Sequence, residues 1–224
     1  MRILQIASLV EPLTESPPGG AELCVQILSA AQRAAGHQVS LLALTGSAAL
    51  AGVELIDLGI KRGELTPIVT GRLAARNNAP IFERSPQQAA SERAVYARIA
   101  EYLQTNKFDI VHNHGFDYDA LFFLPDAVPA QKFFHTLHLP PMLPWITDQL
   151  KLLPKQSPES YYCTVSGSMA AEYKAAIGHL LPVVYNGIPL DALLNRPLMP
   201  INPTAPFLWA GRISPEKGLH TAIR

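Results

Sequence analysis

The sequence predicts an α/β fold built on a doubly wound parallel sheet with helices on both faces. Three observations carry that expectation. Apolar, strand-like runs alternate with helical patterns along the chain, the signature of a parallel sheet crossed by helices. At 224 residues the chain can bury a sizeable core in one or two domains. The residues that follow successive strands are small, polar or imidazole-bearing, as expected where ligands meet the carboxyl ends of parallel strands.

The elements follow in order. Residues 2–8 form an apolar opening strand. Residues 20–35 form a helix with Leu23, Ile27, Ala30, Ala31 and Ala34 spaced as one face, and Gly36 caps it. Strands follow at 39–44 and 53–58. Residues 59–85 have little periodicity and read as variable loop with room for one helix. A helix at 90–104 leads to strands at 109–112 and 132–137. In "PPMLPWITDQLKLLP" the residues Met142, Leu143, Trp145, Ile146, Leu150 and Leu153 fall roughly in helical phase. That stretch reads as a helix docked on the core, with peripheral membrane contact as the other reading. A strand at 161–165, a short helix at 168–176 and a strand at 182–185 complete the series. Residues 1–188 thus read as one domain and the Pro-rich run 189–205 as a linker. Residues 206–224 read as the start of a second domain, with a short buried strand at 207–210, broken by Gly211 before Ser214-Pro215-Glu216-Lys217 opens a helix.

Composition narrows the function. Lys and Arg number 18, as do Asp and Glu, so net charge is zero and no basic block exists. Nucleic acid is therefore not an expected partner. Cys24 and Cys163, the two cysteines, read as small buried hydrophobes of a reducing compartment. The opening apolar run is too short for a signal peptide, and no stretch has the length of a transmembrane helix. A soluble, cytoplasmic protein is the expectation.

The strand exits supply the candidate site residues. Gly19-Gly20 opens the first helix directly after a loop. Its N–H groups could face a phosphate, or it could be a bare glycine turn. It is not a G-x-G-x-x-G, and no acidic residue ends the second strand, which argues against a nicotinamide site. Glu22 suits the helix start through the dipole. His112, Asn113 and His114 follow another strand, and the two histidines, two apart, share a face while the strand continues. His135 and His138 lie on a neighbouring strand and at its exit. With no H-E-x-x-H and distant cysteines, no metal is expected. His138 reads as a hydrogen-bonding residue at the strand exit, or else as a structural histidine. Ser166 lacks a G-x-S-x-G elbow, so it caps the next helix or lines the cleft. Asn186-Gly187 is a turn signal.

Near the carboxyl end, Ser214 suits an N-cap and Pro215 the first helical position, which places Lys217 in the first turn. A cation at the positive end of a helix dipole is unfavourable. Lys217, with Arg212 just upstream, makes sense if an anion binds there. The other reading has both side chains in solvent.

Taken in order, "GGAE", "GH", "FDIVHNHG", "HTLH", "TVSGSM", "VVYNGI" and "AGRISPEKG" resemble the motif series of family 4 glycosyltransferases. The resemblance covers nearly the whole chain except about residues 46–86. It implies a GT-B architecture, two Rossmann-like domains facing each other across a cleft. The first would bind the acceptor and the second a nucleotide-sugar, with residues 206–224 as the truncated start of the second. It implies transfer of the sugar with retention of configuration, with no bound metal and no cofactor beyond the nucleotide-sugar substrate. Arg212 and Lys217 match the pair that neutralises the leaving diphosphate, and Gly19 and Gly20 the turn that approaches the phosphate. His138 matches the histidine near the transferred sugar. Asn186-Gly187 matches the turn leading into the interdomain linker, and the strand-exit residues His112, Asn113, His114, Ser166 and Asn186 are the candidates for the acceptor side of the cleft.

No carboxylate pair suggests a glycosidase-like double displacement. Electrostatic stabilisation of the leaving group is the chemistry to expect. The family's later glutamate pair is absent, and a second domain needs on the order of a hundred further residues. The chain is therefore expected to be an inactive fragment, with apolar Phe207, Leu208 and Trp209 packing residues 206–224 against another copy as a dimer. Two alternatives remain: a related GT-B sugar-nucleotide epimerase, and a non-catalytic sugar- or acceptor-binding module.

Overall fold

The computed structural model describes residues 1–17, 19–65, 74–76, 79–81, 84–152, 160–190, 204, 206, 208–211, 213 and 218–223. The chain divides into two compact units, Met1–Ile188 and Pro189–Arg224.

In the first unit, β1 (Arg2–Ile6), α1 (Gly20–Ala34), β2 (Gln38–Leu42) and β3 (Glu54–Ile56) come first. A small antiparallel pair follows, β4 (Ala74–Arg76) and β5 (Ala79–Ile81). Next come α2 (Pro86–Thr105), β6 (Ile110–Asn113) and a π-helical turn, Asp119–Phe123, that runs into α3 (Leu124–Ala127). The last elements are β7 (Phe133–Leu137), α4 (Pro144–Leu152), β8 (Ser160–Thr164) and α5 (Gly167–Ile177). The main sheet has six strands in the order β3-β2-β1-β6-β7-β8, and every pairing in it is parallel. The chain builds outward from β1 to β3, then returns past β1 to lay down β6, β7 and β8. The strand order therefore reverses between β1 and β6, and the crevice at their carboxyl ends is where such sheets bind ligands.

Residues in register share a face of the sheet. On one face Leu4, Ile6, Leu42, Val111 and Phe133 pack against Val95, Tyr96, Ile99 and Leu103 of α2. Each fully buried side chain of this kind contributes about 1.5–3 kcal/mol. On the other face Val39 and Leu41 pack with Val25 of α1. Leu137 meets Ile146 and Leu150 of α4 and Tyr173 of α5. Cap chemistry sets the helix ends. Ser85 and Gln88 form a capping box at the start of α2, with Pro86 at its first position. Gly36, at φ 88°, turns the chain out of α1.

Several elements differ from expectation. The buried face of α1 is Val25, Gln26 and Ser29, whereas Leu23, Ala30, Ala31 and Ala34 are exposed. On the buried face Gln26 donates to the Thr14 carbonyl of the loop beneath it, at 2.8 Å, a bond that makes its burial tolerable, whereas Ser29 Oγ has no hydrogen-bond partner among the described residues. Helix α2 starts four residues early, at the capping box. The described part of 59–85 holds the β4-β5 pair, not a helix. The strand expected at 182–185 shrinks to a single parallel bridge between Thr164 and Val183, and Leu181 alone of 181–185 is buried. Asn186 and Gly187 are exposed and form neither strand nor turn, and Gly187 is not a positive-φ glycine. Helix α4 docks on the core through Ile146, Thr147 and Leu150, as in the first of its two readings. Among the described residues no helix is long and apolar enough to cross a membrane. Cys24 and Cys163 are unpaired thiols and only partly buried.

In the second unit, Gly218 at φ 66° leads into α6 (Leu219–Ala222). The helix opening expected at 214–217 lies outside the described residues, as does Phe207. Leu208, Trp209 and Ala210 belong to no strand, and Leu208 is 92% exposed. A buried strand needs a hydrogen-bonded neighbour and a covering layer, and Leu208 has no covering layer.

Candidate active site

The exits of β6 and β7 bring three imidazoles together beside the switch point. Gln5 and His112 are in register on β1 and β6, so their side chains share a face. The ring centroids of His112 and His114 lie 4.1 Å apart, and those of His114 and His138 5.3 Å. His114 Nδ1 is 3.0 Å from His138 Nε2, and His114 Nε2 is 2.8 Å from Gln5 Oε1. His112 Nε2 is 2.8 Å from Thr136 Oγ1, which lies 3.5 Å from Cys163 Sγ. Burial disfavours the charged imidazole. It pulls His112 and His138 down to about 4 and His114 well below its ordinary value, with the neighbouring rings adding repulsion at His112 and His114. All three rings are neutral at pH 7. They can exchange hydrogen bonds with hydroxyl groups, but they cannot neutralise a phosphate. Both nitrogens of His114 are already committed.

Asn113 and His135 turn the other way. Asn113 is fully buried, and its Nδ2 donates to the Gly115 carbonyl at 2.9 Å and to His135 Nδ1 at 3.3 Å. Its Oδ1 accepts from the Gly115 N–H, so its polar atoms hold the turn after β6 rather than lining a cleft. His135 is stacked between Phe133 and Tyr162, and burial lowers its pKa to about 3. Its Nε2 is buried without a hydrogen-bond partner among the described residues.

At the exit of β1, Gly19 is the N-cap of α1 and has no side chain to cap it. Glu22 folds back over it, so that a Cβ at position 19 would lie 2.0 Å from Glu22 Oε2. The chain's own carboxylate thus sits at the positive end of this helix, which is the structural role expected of Glu22. A Cβ at Gly20 would meet nothing within 4 Å. Ser166 accepts from the Met169 N–H at 3.2 Å and caps α5, the first of its two readings. Asn186 is exposed near the end of the first unit. Arg212 and Lys217 lie outside the described residues.

Sequence reasoning passed over a second cluster, on α2 and the turn after β6. Asp119 is 1% exposed and pairs with Arg93 at 2.7 Å and Arg84 at 3.5 Å. Arg84 also pairs with Glu92 at 3.0 Å, and Glu92 accepts from the Asp119 N–H at 2.7 Å. Tyr96 donates its hydroxyl proton to Asp117 at 2.8 Å. Three carboxylates face two guanidiniums. Burial, aided by the charge of Asp117, raises Glu92 to about 7, and burial raises Asp117 to about 6. The alternating carboxylates of "FDYDA" were the available signal. Gln5, too, gave no sign in the sequence, since its partners lie far along the chain.

A doubly wound parallel sheet with helices on both faces defines a Rossmann-like α/β domain, and here a cluster of neutral histidines lies at its switch point. The chain belongs to Glycosyltransferase Family 4, which it matches over residues 18–192. Among solved structures it is similar to trehalose-6-phosphate synthase OtsA, with a TM-score of 0.59 and 14% identity over 91% of this chain and 53% of that one. It is also similar to a trehalose-6-phosphate protein from E. coli bound with UDP-2-fluoro glucose, with a TM-score of 0.52 and 15% identity over 91% and 52%. Sucrose-phosphate synthase from Thermosynechococcus elongatus gives a TM-score of 0.51 and 14% identity over 88% and 53%. At these identities the likeness is one of fold: the Rossmann-like half of a GT-B architecture. The chain spans about half the length of these structures. No curated protein matches it by sequence.

Proposed function

We propose that this protein is a retaining glycosyltransferase that moves a sugar from a nucleotide-sugar to an acceptor bound by residues 1–188. Membership of family 4 carries the reading. The histidine cluster supports it, because neutral imidazoles at a sheet edge suit the hydroxyl groups of a sugar and not the charge of its leaving group. That charge falls to other groups. Arg212 and Lys217 are the groups assigned to stabilise the diphosphate as it departs. His138 stands near the transferred sugar. The chemistry proceeds without a bound metal.

The test uses the protein expressed from its complete reading frame, a panel of nucleotide-sugars, and glycoside acceptors. Acceptor-dependent release of nucleotide, with the product keeping the donor's anomeric configuration by NMR, is the expected result. Arg212→Ala and Lys217→Ala should each lower kcat/KM by the equivalent of about 2–4 kcal/mol. Interconversion of the donor sugar without acceptor would instead identify an epimerase. Saccharide binding with no turnover of any donor would identify a binding module.

A further inference from the structure

A hydrogen-bond relay runs from α1 through the sheet to the candidate site. Gln5 Nε2 donates to Gln32 Oε1 on α1 at 2.7 Å. Gln5 itself is fully buried on β1, and its Oε1 lies 2.8 Å from His114 Nε2. An amide oxygen only accepts, so His114 carries its proton on Nε2. A neutral imidazole has one N–H and one lone pair, so His114 Nδ1 accepts. The atom 3.0 Å away, His138 Nε2, must then donate. His138 is left with a lone pair on Nδ1, and among the described residues no hydrogen bond ends there. Neutrality of His114 is a matter of place. It is 4% exposed, with the His112 ring at 4.1 Å and the His138 ring at 5.3 Å, so a cation would sit dry beside two other imidazoles.

We propose that Gln5, held by Gln32, is a positioning residue that sets the tautomer of His138 through His114, so that His138 offers Nδ1 as a hydrogen-bond acceptor to a hydroxyl of a bound sugar. The sugar clause rests on the function proposed above, and the tautomer does not. The relay has direction. Turning the Gln5 amide over reverses every proton in it and makes His138 Nδ1 a donor. The orientation of the Gln5 amide thus decides whether the site accepts or donates at this point.

Long-range proton–nitrogen correlation NMR on the 15N-labelled chain at pH 7 reads the tautomer of each histidine without any turnover. In the wild type His138 should show a protonated Nε2 and an unprotonated Nδ1. Gln32→Glu keeps an acceptor facing Gln5 and should leave that pattern unchanged. Gln32→Lys offers only a donor and should invert it, moving the His138 proton to Nδ1. Gln5→Met cuts the relay and should give His138 signals averaged between the two tautomers. Gln32 is partly exposed, so its variants keep the fold, which the backbone amide spectrum checks. A wild-type His138 protonated on Nδ1 overturns the proposal. So does a His138 pattern that stays at its wild-type form in both Gln32→Lys and Gln5→Met. The expected tautomers with no glycosyl transfer in the whole protein would overturn the sugar reading alone.

Discussion

Residues 112–119 pass through two buried polar clusters that handle burial in opposite ways. Before Gly115 the chain buries imidazoles that stay neutral and hand protons along hydrogen bonds. After it the chain buries carboxylates that are held by guanidiniums and by a tyrosine hydroxyl. Gly115 stands where they meet. A Cβ there would lie 3.0 Å from Tyr96 Oη, 3.2 Å from Asp117 Oδ2 and 3.3 Å from Asn113 Oδ1. The difference teaches where each kind of group is useful. At the sheet edge, neutral His138 keeps one nitrogen open, among the described residues, to engage a neutral ligand. The ion-paired cluster ties the turn after β6 to α2.

The comparison can be broken at its ion pairs first. Asp119→Asn removes the charge that holds Arg84 and Arg93, and it should destabilise the chain by about 3 kcal/mol in urea unfolding at pH 7. A loss below about 1 kcal/mol would make the cluster incidental. Gly115→Ala should cost about 2 kcal/mol, because the polar atoms of both clusters must retreat by a few tenths of an ångström. An unchanged unfolding midpoint would mean that the two clusters are not pressed together.

Acid separates the clusters by sign. His112, His138 and His135 titrate near 4, 4 and 3 in the fold, against about 6.5 unfolded. Below about pH 6.5 the unfolded chain binds protons that the folded chain refuses, so their stability is present above that pH and is lost on acidification toward 4. Glu92 and Asp117 run the other way. Their folded values, about 7 and about 6, lie above their ordinary ones, so the fold gains from them as pH drops through 7 toward 4.5. The imidazoles outnumber them, and net stability should fall between pH 6.5 and 5. Glu92→Gln removes one opposing group and should steepen that fall by up to about 1.4 kcal/mol per pH unit. Urea midpoints at pH 5, 6 and 7 measure both slopes, and equal slopes would assign Glu92 an ordinary pKa. Smallest is a change outside both clusters. Ser166→Ala should cost about 1 kcal/mol through loss of the α5 cap, with no change in pH dependence. A changed acid slope in that variant would place Ser166 among the histidines.

What the sequence determined by itself was the local part of this protein. Alternating strand and helix patterns, Gly36 after α1 and the cap at Ser166 were legible because periodicity, backbone freedom and capping act over a few neighbouring residues. The set of strand exits pointed to His112, His114 and His138 for the same reason, since in a parallel sheet those exits fall along one edge. The face of α1 was not legible, because its buried Gln26 is partnered by a carbonyl 12 residues away. Nor was the inward turn of Asn113, which depends on His135, 22 residues on, as well as on Gly115. Only the tertiary structure brought Gln5 to His114 across 109 residues, and with it the placement of protons at the site. Hydrogen bonds of that span leave no period in a sequence, since both partners are common polar residues until the sheet sets them in register.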